Sequence, residues 1–395
     1  MSTYALPHIP YRENIIDLFE PSFTRTSQYS INCTLSRYLC EIKTKIDTCQ
    51  DEWDRCKKLT NPYEYIHTPV PNSKQAICKH KPLSRSFYKM IEIYHTMFLE
   101  DILTGPRKIF YLAEGPGGFV EALTYLRNES QDVHYAISLV DDKDTSVPGW
   151  RKSQSFLDSN PNVFIERGVD DTGNLLNPLT LLDIYERHQG SVDLVTADGG
   201  FNFSSNFNHQ EVASTQLIAC QIAYAIAIQK QGGTAIIKFF DTFTSASLDL
   251  VHFLLIAYKE VTWIKPCTSR YANSERYAVC RGFRLKNVAA YVNKLQRLLI
   301  ELADCHSMSR VLTCEIPYLV LNKIEEYNAI FGQQQIESIA NTLSLIENPK
   351  HDKLDSIKKG NIGKCISWCQ KYKLPYNRTI QSTNVFLGNR VSSNY

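Results

Sequence analysis

Residues 109–124, IFYLAEGPGGFVEALT, decide how this chain is read. An apolar run, Ile109 to Ala113, ends on Glu114 and turns through Gly115, Pro116, Gly117 and Gly118. A helical pattern follows from Phe119 to Arg127. That is strand, glycine turn, helix. Glycines let a backbone approach a ligand closely and take positive φ, and the helix start offers free N–H groups. Turns of this kind at the carboxyl ends of strands are where open α/β sheets take nucleotide-like ligands. The spacing is not GxGxxG, so a plain structural connection stays open from the turn alone.

Outward from this stretch, strand-like runs alternate with helical ones. The strands are read at 108–113, 134–139, 162–165, 192–197, 234–239, 261–265 and 277–283. A long helix at 210–229, ended by Gly232 and Gly233, separates the fourth from the fifth. Such alternation predicts a mainly parallel, doubly wound α/β sheet. Only a loop joins the last two strands, so they are expected to pair antiparallel. Three divisions follow: a partly helical N-terminal extension (1–75), an α/β domain (76–286) and a mainly helical C-terminal module (287–395). In the last, helices are read at 287–305, 317–331 and 334–346, a polar loop at 349–363, and a frayed end over the last dozen residues.

The composition is that of an ordinary globular protein: 43% hydrophobic, 21% charged, with 43 basic against 41 acidic residues in 395. A net charge of +2 excludes a generally polycationic nucleic-acid coat and leaves a local basic groove open. The twelve cysteines are scattered without a CxxC pair, the pattern of reduced intracellular thiols. Cys33, Cys40, Cys49 and Cys56 fall on one helical face and are read as small core residues, because zinc ligands arrive in closer pairs. The first twenty residues lack the apolar core of a signal peptide. The longest apolar run, 217–228, is too short to span a bilayer. The expectation is a soluble, intracellular protein without a membrane partner.

Chemistry concentrates at strand ends. Glu114 ends the first strand; Asp198 ends VDLVTA before Gly199 and Gly200; Lys238 ends TAIIK before Phe239, Phe240 and Asp241. Carboxyl ends of adjacent parallel strands share one crevice, so these groups should converge. A lysine there is costly unless paired or functional, and an ion pair to Asp198 or Asp241 is its plain structural role. Burial lowers a lysine's pKa while carboxylates raise it, and a lysine balanced between the two can accept a proton from an alcohol. Glu275, just before the final strand, can reach the same crevice. Upstream, Lys74, Lys79, Lys81, Arg85 and Lys89 occur without an intervening carboxylate. Such a run suits phosphate or a solvated face. Ser84 is read as the cap of a helix at 84–103.

Four motifs occur in order: SRSFYK (84–89), AEGPGGF (113–119), TADGG (196–200), and IIKFFD (236–241) with TSRYANSERY (268–277). Together they resemble the FtsJ-type ribose 2′-O-methyltransferases, and within them the Adrift-type cap-specific mRNA enzymes of eukaryotes and large DNA viruses. The likeness covers about residues 84–284. Lys89, Asp198, Lys238 and Glu275 match that family's Lys-Asp-Lys-Glu tetrad.

The resemblance implies a Rossmann-like methyltransferase fold with one antiparallel strand in a seven-stranded sheet. It implies S-adenosyl-L-methionine as cofactor, no metal, and methyl transfer to a ribose 2′-hydroxyl, with the first nucleotide of capped mRNA as target. Lys238 would orient and deprotonate the hydroxyl, Asp198 would hold Lys238, and Lys89 and Glu275 would complete the frame. The cofactor residues carried over are Ser84, Ala113, Glu114, Gly115, Pro116, Gly117, Gly118, Phe119, Asp141, Asp170, Asp171 and Asp198. Asp142 competes with Asp141 for the ribose, and Asp170 or Asp171 would meet the adenine. For RNA the positions are Arg85, Asn208, Arg270 and Asn273, with Phe201, Phe203 and Phe207 as stacking candidates.

Glu114 departs from the small residue many relatives carry there. No G-patch, WW or guanylyltransferase-like module is read, which favours a compact, viral-type member working with capping or transcription proteins. It would act in the nucleus if cellular, or in the cytoplasm or virion if viral. Two other readings stand beside this one: the same chemistry on ribosomal or transfer RNA, and a non-catalytic RNA-binding scaffold on the same fold.

Overall fold

The computed structural model describes residues 2–11, 15–24, 30–141, 143–144, 147–200, 210–304, 308–349 and 351–377. Asp142, Phe201, Phe203, Phe207, Asn208 and the last dozen residues lie outside them. The chain forms two compact units, one made of Met1–Lys45 and Leu83–Glu337, the other of Ile46–Pro82 and Ser338–Tyr395. These units interleave along the chain and follow other lines than breaks at 75 and 286.

The first unit holds an eight-stranded sheet. Its strands are β1 (Ser2–Ala5), β3 (Lys108–Leu112), β4 (Val133–Ile137), β5 (Val163–Glu166), β6 (Val192–Ala197), β7 (Gln229–Phe239), β8 (Tyr258–Lys265) and β9 (Arg276–Phe283), in the order β1-β8-β9-β7-β6-β3-β4-β5. β3 to β7 pair in parallel, and β9 runs antiparallel between β7 and β8. The expected seven strands are all present. The eighth, β1, lies antiparallel along the outer edge of β8, from Ser2 opposite Lys265 to Ala5 opposite Thr262. Four residues carry no strand periodicity, and their pairing is set from some 260 residues away. A separate antiparallel pair, β2 (Phe19–Phe23) with β10 (Met308–Leu312), was equally unforeseen.

Alternation along the central strands explains the layers. Phe110 and Leu112 of β3, with Ala235, Ile237 and Phe239 of β7, join one core with the helices Pro178–His188, Gln210–Ile228, Ser245–Ala257 and Val288–Asp304. Their neighbours Ile109, Tyr111 and Ile236 are equally buried but lie outside that cluster. Gln210–Ile228 is long and apolar enough to cross a membrane by length and composition, and longer than the apolar run seen in the sequence. Most of it is buried, and it serves here as a core helix.

Several elements differ from the sequence expectation. The 84–103 pattern is two helices, Ser86–Thr96 and Leu99–Ile102, broken where Phe98 takes φ of 50°. The residues 317–346 form one helix, Tyr318–Glu347, because Gly332 sits against Leu35 without ending it. The expected loop at 349–363 falls largely in the helix His351–Lys371, whose buried side (Asn361, Cys365, Ile366, Trp368, Cys369) becomes apolar only in its second half. Cys33 is exposed, and Cys40, Cys49 and Cys56 are half-buried, so they are not core residues. Among the described residues no group of His, Cys, Asp or Glu is placed to hold a metal.

Candidate active site

Parallel strands deliver their carboxyl ends to one edge, and antiparallel β9 begins at that edge. Asp198 follows β6, Lys238 lies near the end of β7, and Glu275 immediately precedes β9. Lys89 comes from Ser86–Thr96, the helix that leads into the domain. The four side chains meet in two ion pairs. Lys238 Nζ lies 3.1 Å from Asp198 Oδ1 and donates to the Asp198 carbonyl at 2.7 Å. Lys89 Nζ lies 2.7 Å from Glu275 Oε1. Asp241 does not pair with Lys238; it takes Lys43 at 3.3 Å.

Tyr277 joins the two pairs, and nothing in the sequence reading singled it out. Its hydroxyl donates to Asp198 Oδ1 at 2.7 Å and accepts from Lys89 Nζ at 3.3 Å. The only signal for it is register: antiparallel pairing sets Tyr277 directly opposite Lys238. Burial, with Asp198 and Glu275 beside it, keeps the phenol well above its ordinary pKa, so it is a neutral donor.

The electrostatics of the pairs follow from burial and neighbours. Burial pulls the Lys238 pKa down, but Asp198 and then Glu275 outweigh it, so the group is held above its usual value as an ammonium. Burial pushes Glu275 up, yet Lys89 and Lys238 hold it well below the carboxylate range. Glu114 goes the other way: burial, then the negative charge of Asp198, raises it well above 4.5. Its Oε1 accepts from the Phe119 N–H at 2.6 Å, which closes the glycine turn, while Oε2 is buried without a hydrogen-bond partner.

That turn is built on close approach. Gly117 takes φ of 104°, and a Cβ on Gly118 would collide with the hydroxyls of Ser84 and Ser86. Ser84 Oγ lies 2.5 Å from Ser86 Oγ and accepts from the Ser86 N–H at 3.3 Å, while Arg85 occupies the cap position itself. The Ser153 hydroxyl donates to the Pro116 carbonyl at 2.5 Å. Beyond β4, Asp141 Oδ1 accepts from the N–H groups of Lys143 and Asp144 at 2.8 and 3.1 Å. After β5, Asp170 binds the Thr172 hydroxyl at 2.7 Å and Asn177 at 2.9 Å. Those bonds, Thr172 first, hold its pKa down. Asp171 stands in the left-handed region, and Leu139 and Val169 are exposed apolar side chains on the same segments.

The loop between β8 and β9 carries Arg270 and Asn273. Fully buried Glu92, one turn beyond Lys89, accepts from the N–H groups of Cys267 at 2.7 Å and Thr268 at 2.8 Å. Arg85 donates to the Thr268 carbonyl at 3.0 Å. From beneath, Lys265 Nζ donates to the carbonyls of Asn273 and Glu275, both at 2.8 Å, and to Asn273 Oδ1 at 3.1 Å. Burial pulls its pKa down to about 7 against the opposing pull of Glu275. Gln335 Nε2 adds a bond to the Ala272 carbonyl at 3.1 Å. Glu92 and Lys265 were not anticipated; a buried carboxylate three residues after Lys89 on one helix is the signal that could have pointed to the first.

Comparison with known proteins gives this geometry a family. The model of the FtsJ-like methyltransferases matches residues 82–283. A Caenorhabditis elegans protein, cap-specific mRNA (nucleoside-2′-O-)-methyltransferase 1, is 30% identical over 247 residues, covering 58% of this chain and 26% of that one. The proteins of the same name from Xenopus laevis and Homo sapiens are 29% identical over 316 residues and 31% over 246. They cover 73% and 60% of this chain, and 35% and 29% of their own lengths. The chain thus spans about a quarter to a third of the length of these relatives. The matched span takes in every strand from β3 to β9 together with Lys89, Asp198, Lys238 and Glu275, and the chain belongs to the FtsJ-like methyltransferase family.

Proposed function

We propose that this chain is an S-adenosylmethionine-dependent RNA ribose 2′-O-methyltransferase that acts on the first transcribed nucleotide of capped mRNA. The observation that carries the reading is the convergence of two buried ion pairs, Lys238 with Asp198 and Lys89 with Glu275, on one strand-end crevice. The relatives named for cap-specific mRNA methylation favour the capped substrate. A scaffold that bound RNA without catalysis would have no use for a lysine held in apolar surroundings against two carboxylates.

The crevice suits the methyl donor. Glu114 Oε2 is a buried acceptor without a partner, beside the glycine turn that its other oxygen closes. Ser84, the turn from Ala113 to Phe119, Asp141 and the segment carrying Asp170 and Asp171 are the residues that would hold it, with Leu139 and Val169 offering apolar surface. The donor supplies a methyl group already activated on a sulfonium. The protein's task is therefore to position the hydroxyl and take its proton. Positioning of this kind is worth up to about 7–11 kcal/mol in favourable cases.

Lys238 orients the 2′-oxygen through its ammonium. Positive charge on the bound donor would oppose the two carboxylates and favour release of one Lys238 proton to bulk water; the free amine then takes the hydroxyl proton at Nζ. Asp198 and Tyr277 hold Lys238 and Lys89 in one frame. Arg85, Arg270 and Asn273 border the same loop and contact the RNA backbone, with Asn208 as a further contact. Such a protein works where capped transcripts are made, alongside other capping or transcription proteins.

Lys238→Ala is the test. Methyl transfer to RNA should fall by about 10²–10⁴-fold, the range for loss of a positioned acid–base group, with S-adenosylmethionine affinity, read by calorimetry, unchanged. Retained transfer would refute the proposed role of Lys238.

A further inference from the structure

The second unit gathers positive charge from two distant parts of the chain, both outside the span matched by the family. Residues 68–82 contain Lys74, Lys79 and Lys81, and residues 361–377 contain Lys364, Lys371 and Lys373; neither segment contains an aspartate or glutamate. The fold ties them together. Cys78 and Tyr376 form an antiparallel bridge, the Lys79 N–H donates to the Pro375 carbonyl at 2.9 Å, and the Asn377 N–H donates to the Ile77 carbonyl at 2.9 Å. The bridge ties the segment carrying Lys79 and Lys81 to the turn that carries Lys373, just past the helix end at Lys371.

All six lysines are exposed, and none has a carboxylate partner among the described residues. Two cations elsewhere in the same unit do have carboxylate partners, Lys57 with Asp54 and Arg55 with Glu52. Like charges held together raise the free energy of the fold unless an anion neutralises them. One aromatic ring beside the bridge, that of Tyr376, is half-buried, while Tyr372, 5.0 Å from Lys371 Nζ, packs inward. A chain with net charge of only +2 that concentrates unpaired lysines on one tied segment is suited to a polyanion that follows a track.

We infer that the surface formed by residues 74–81 and 364–373 of the second unit binds the phosphate backbone of single-stranded RNA. The inference rests on the proposed function for the identity of the polyanion; the lysine cluster itself does not depend on it. Lys371 and Lys373 neutralise phosphates from the helix side of the bridge, and Lys79 and Lys81 from the other. Recognition is through charge, so it is independent of sequence and weakens with salt. Each single-strand phosphate contact contributes about 0.7 to the slope of log affinity against log salt.

The test is binding, measured by fluorescence anisotropy with the full chain and an unstructured 30-nucleotide RNA, from low to physiological salt. The triple variant Lys79→Glu, Lys371→Glu, Lys373→Glu should lose at least tenfold in affinity, and its salt slope should fall by about 2, three contacts at about 0.7 each. The neutral version of the same triple, with glutamine, should lose less affinity but the same slope. Lys359→Glu, an exposed lysine on another part of the unit, should stay within twofold of the parent.

Unchanged affinity and slope in both triple variants would overturn the inference, including the case in which the same lysines bind an acidic peptide. An equal loss in the Lys359→Glu control would overturn it too, by showing a response to overall charge alone. Methyl transfer is read separately. A parent chain that binds RNA through these lysines but transfers no methyl group refutes the proposed function and leaves this surface standing.

Discussion

Four charged side chains and one phenol meet in the crevice, in two ion pairs joined by the Tyr277 hydroxyl. Lys238 is kept cationic by Asp198 and Glu275 despite burial, while Glu114, with no cation at bonding distance among the described residues, is kept toward its neutral form. Lys265 is shifted the opposite way from Lys238. Burial takes its pKa down to about 7, with only carbonyl and amide oxygens at its Nζ. Its value when unfolded is near 10.5. Between those pH values the unfolded chain binds more protons at this site than the folded one, so stability rises with pH there. The contribution is fully present above about pH 10.5 and lost as pH falls to about 7. Urea melts from pH 7 to 9.5 should therefore show a rise in unfolding free energy that Lys265→Met lacks; equal slopes for both proteins would contradict the assigned environment.

At the scale of elements, strand ends place Asp198, Lys238 and Glu275, and helices outside the sheet hold the loops between them. Asn328, in the helix Tyr318–Glu347, reaches the segments that follow Lys238 and Glu275. Its Oδ1 accepts from Arg276 Nη2 at 3.0 Å, beside Glu275, and its Nδ2 donates to the Thr242 carbonyl at 2.9 Å, in the loop after Lys238. Arg276, in turn, stacks between Trp263 and Phe331. Asn328 is 2% exposed, so Asn328→Ala removes one of the two acceptors at Arg276 Nη2 and leaves the buried Thr242 carbonyl without its donor, at about 1–3 kcal/mol. Urea melts should register that loss, and kcat should fall by more than KM rises because both segments shift. A variant with parental stability and kcat would remove Asn328 from the positioning frame.

The strand ends were legible because apolar runs closing on Glu114, Asp198 and Lys238 announce themselves in sequence, and parallel topology then brings them together. Tyr277, Glu92 and Asn328 were not. Each acts through a partner far along the chain, and only register or packing reveals the pairing: Tyr277 through its position opposite Lys238, Glu92 through two amide groups 175 and 176 residues away. The same holds for β1, whose four residues gain their conformation from the edge of β8. The helix His351–Lys371 escaped notice for a different reason: Gly360 and Gly363 and a run of lysines mask a buried face that begins at Asn361.

At the scale of the whole molecule, a sheet enlarged by β1 and flanked by N- and C-terminal helices makes one unit, and a lysine-bearing second unit is assembled from two separate segments. The charge balance of the chain is consistent with this division, with positive charge localised and not spread. The central claim is the reaction itself. The measurement that bears on it most directly is methyl transfer from labelled S-adenosylmethionine to three short RNAs: capped, uncapped, and capped with a 2′-O-methyl already on the first nucleotide. The account predicts incorporation into the capped, unmethylated RNA alone. Incorporation into the uncapped RNA would move the substrate to another class, and no incorporation into any of the three, with donor binding demonstrated, would contradict the assignment of an active 2′-O-methyltransferase.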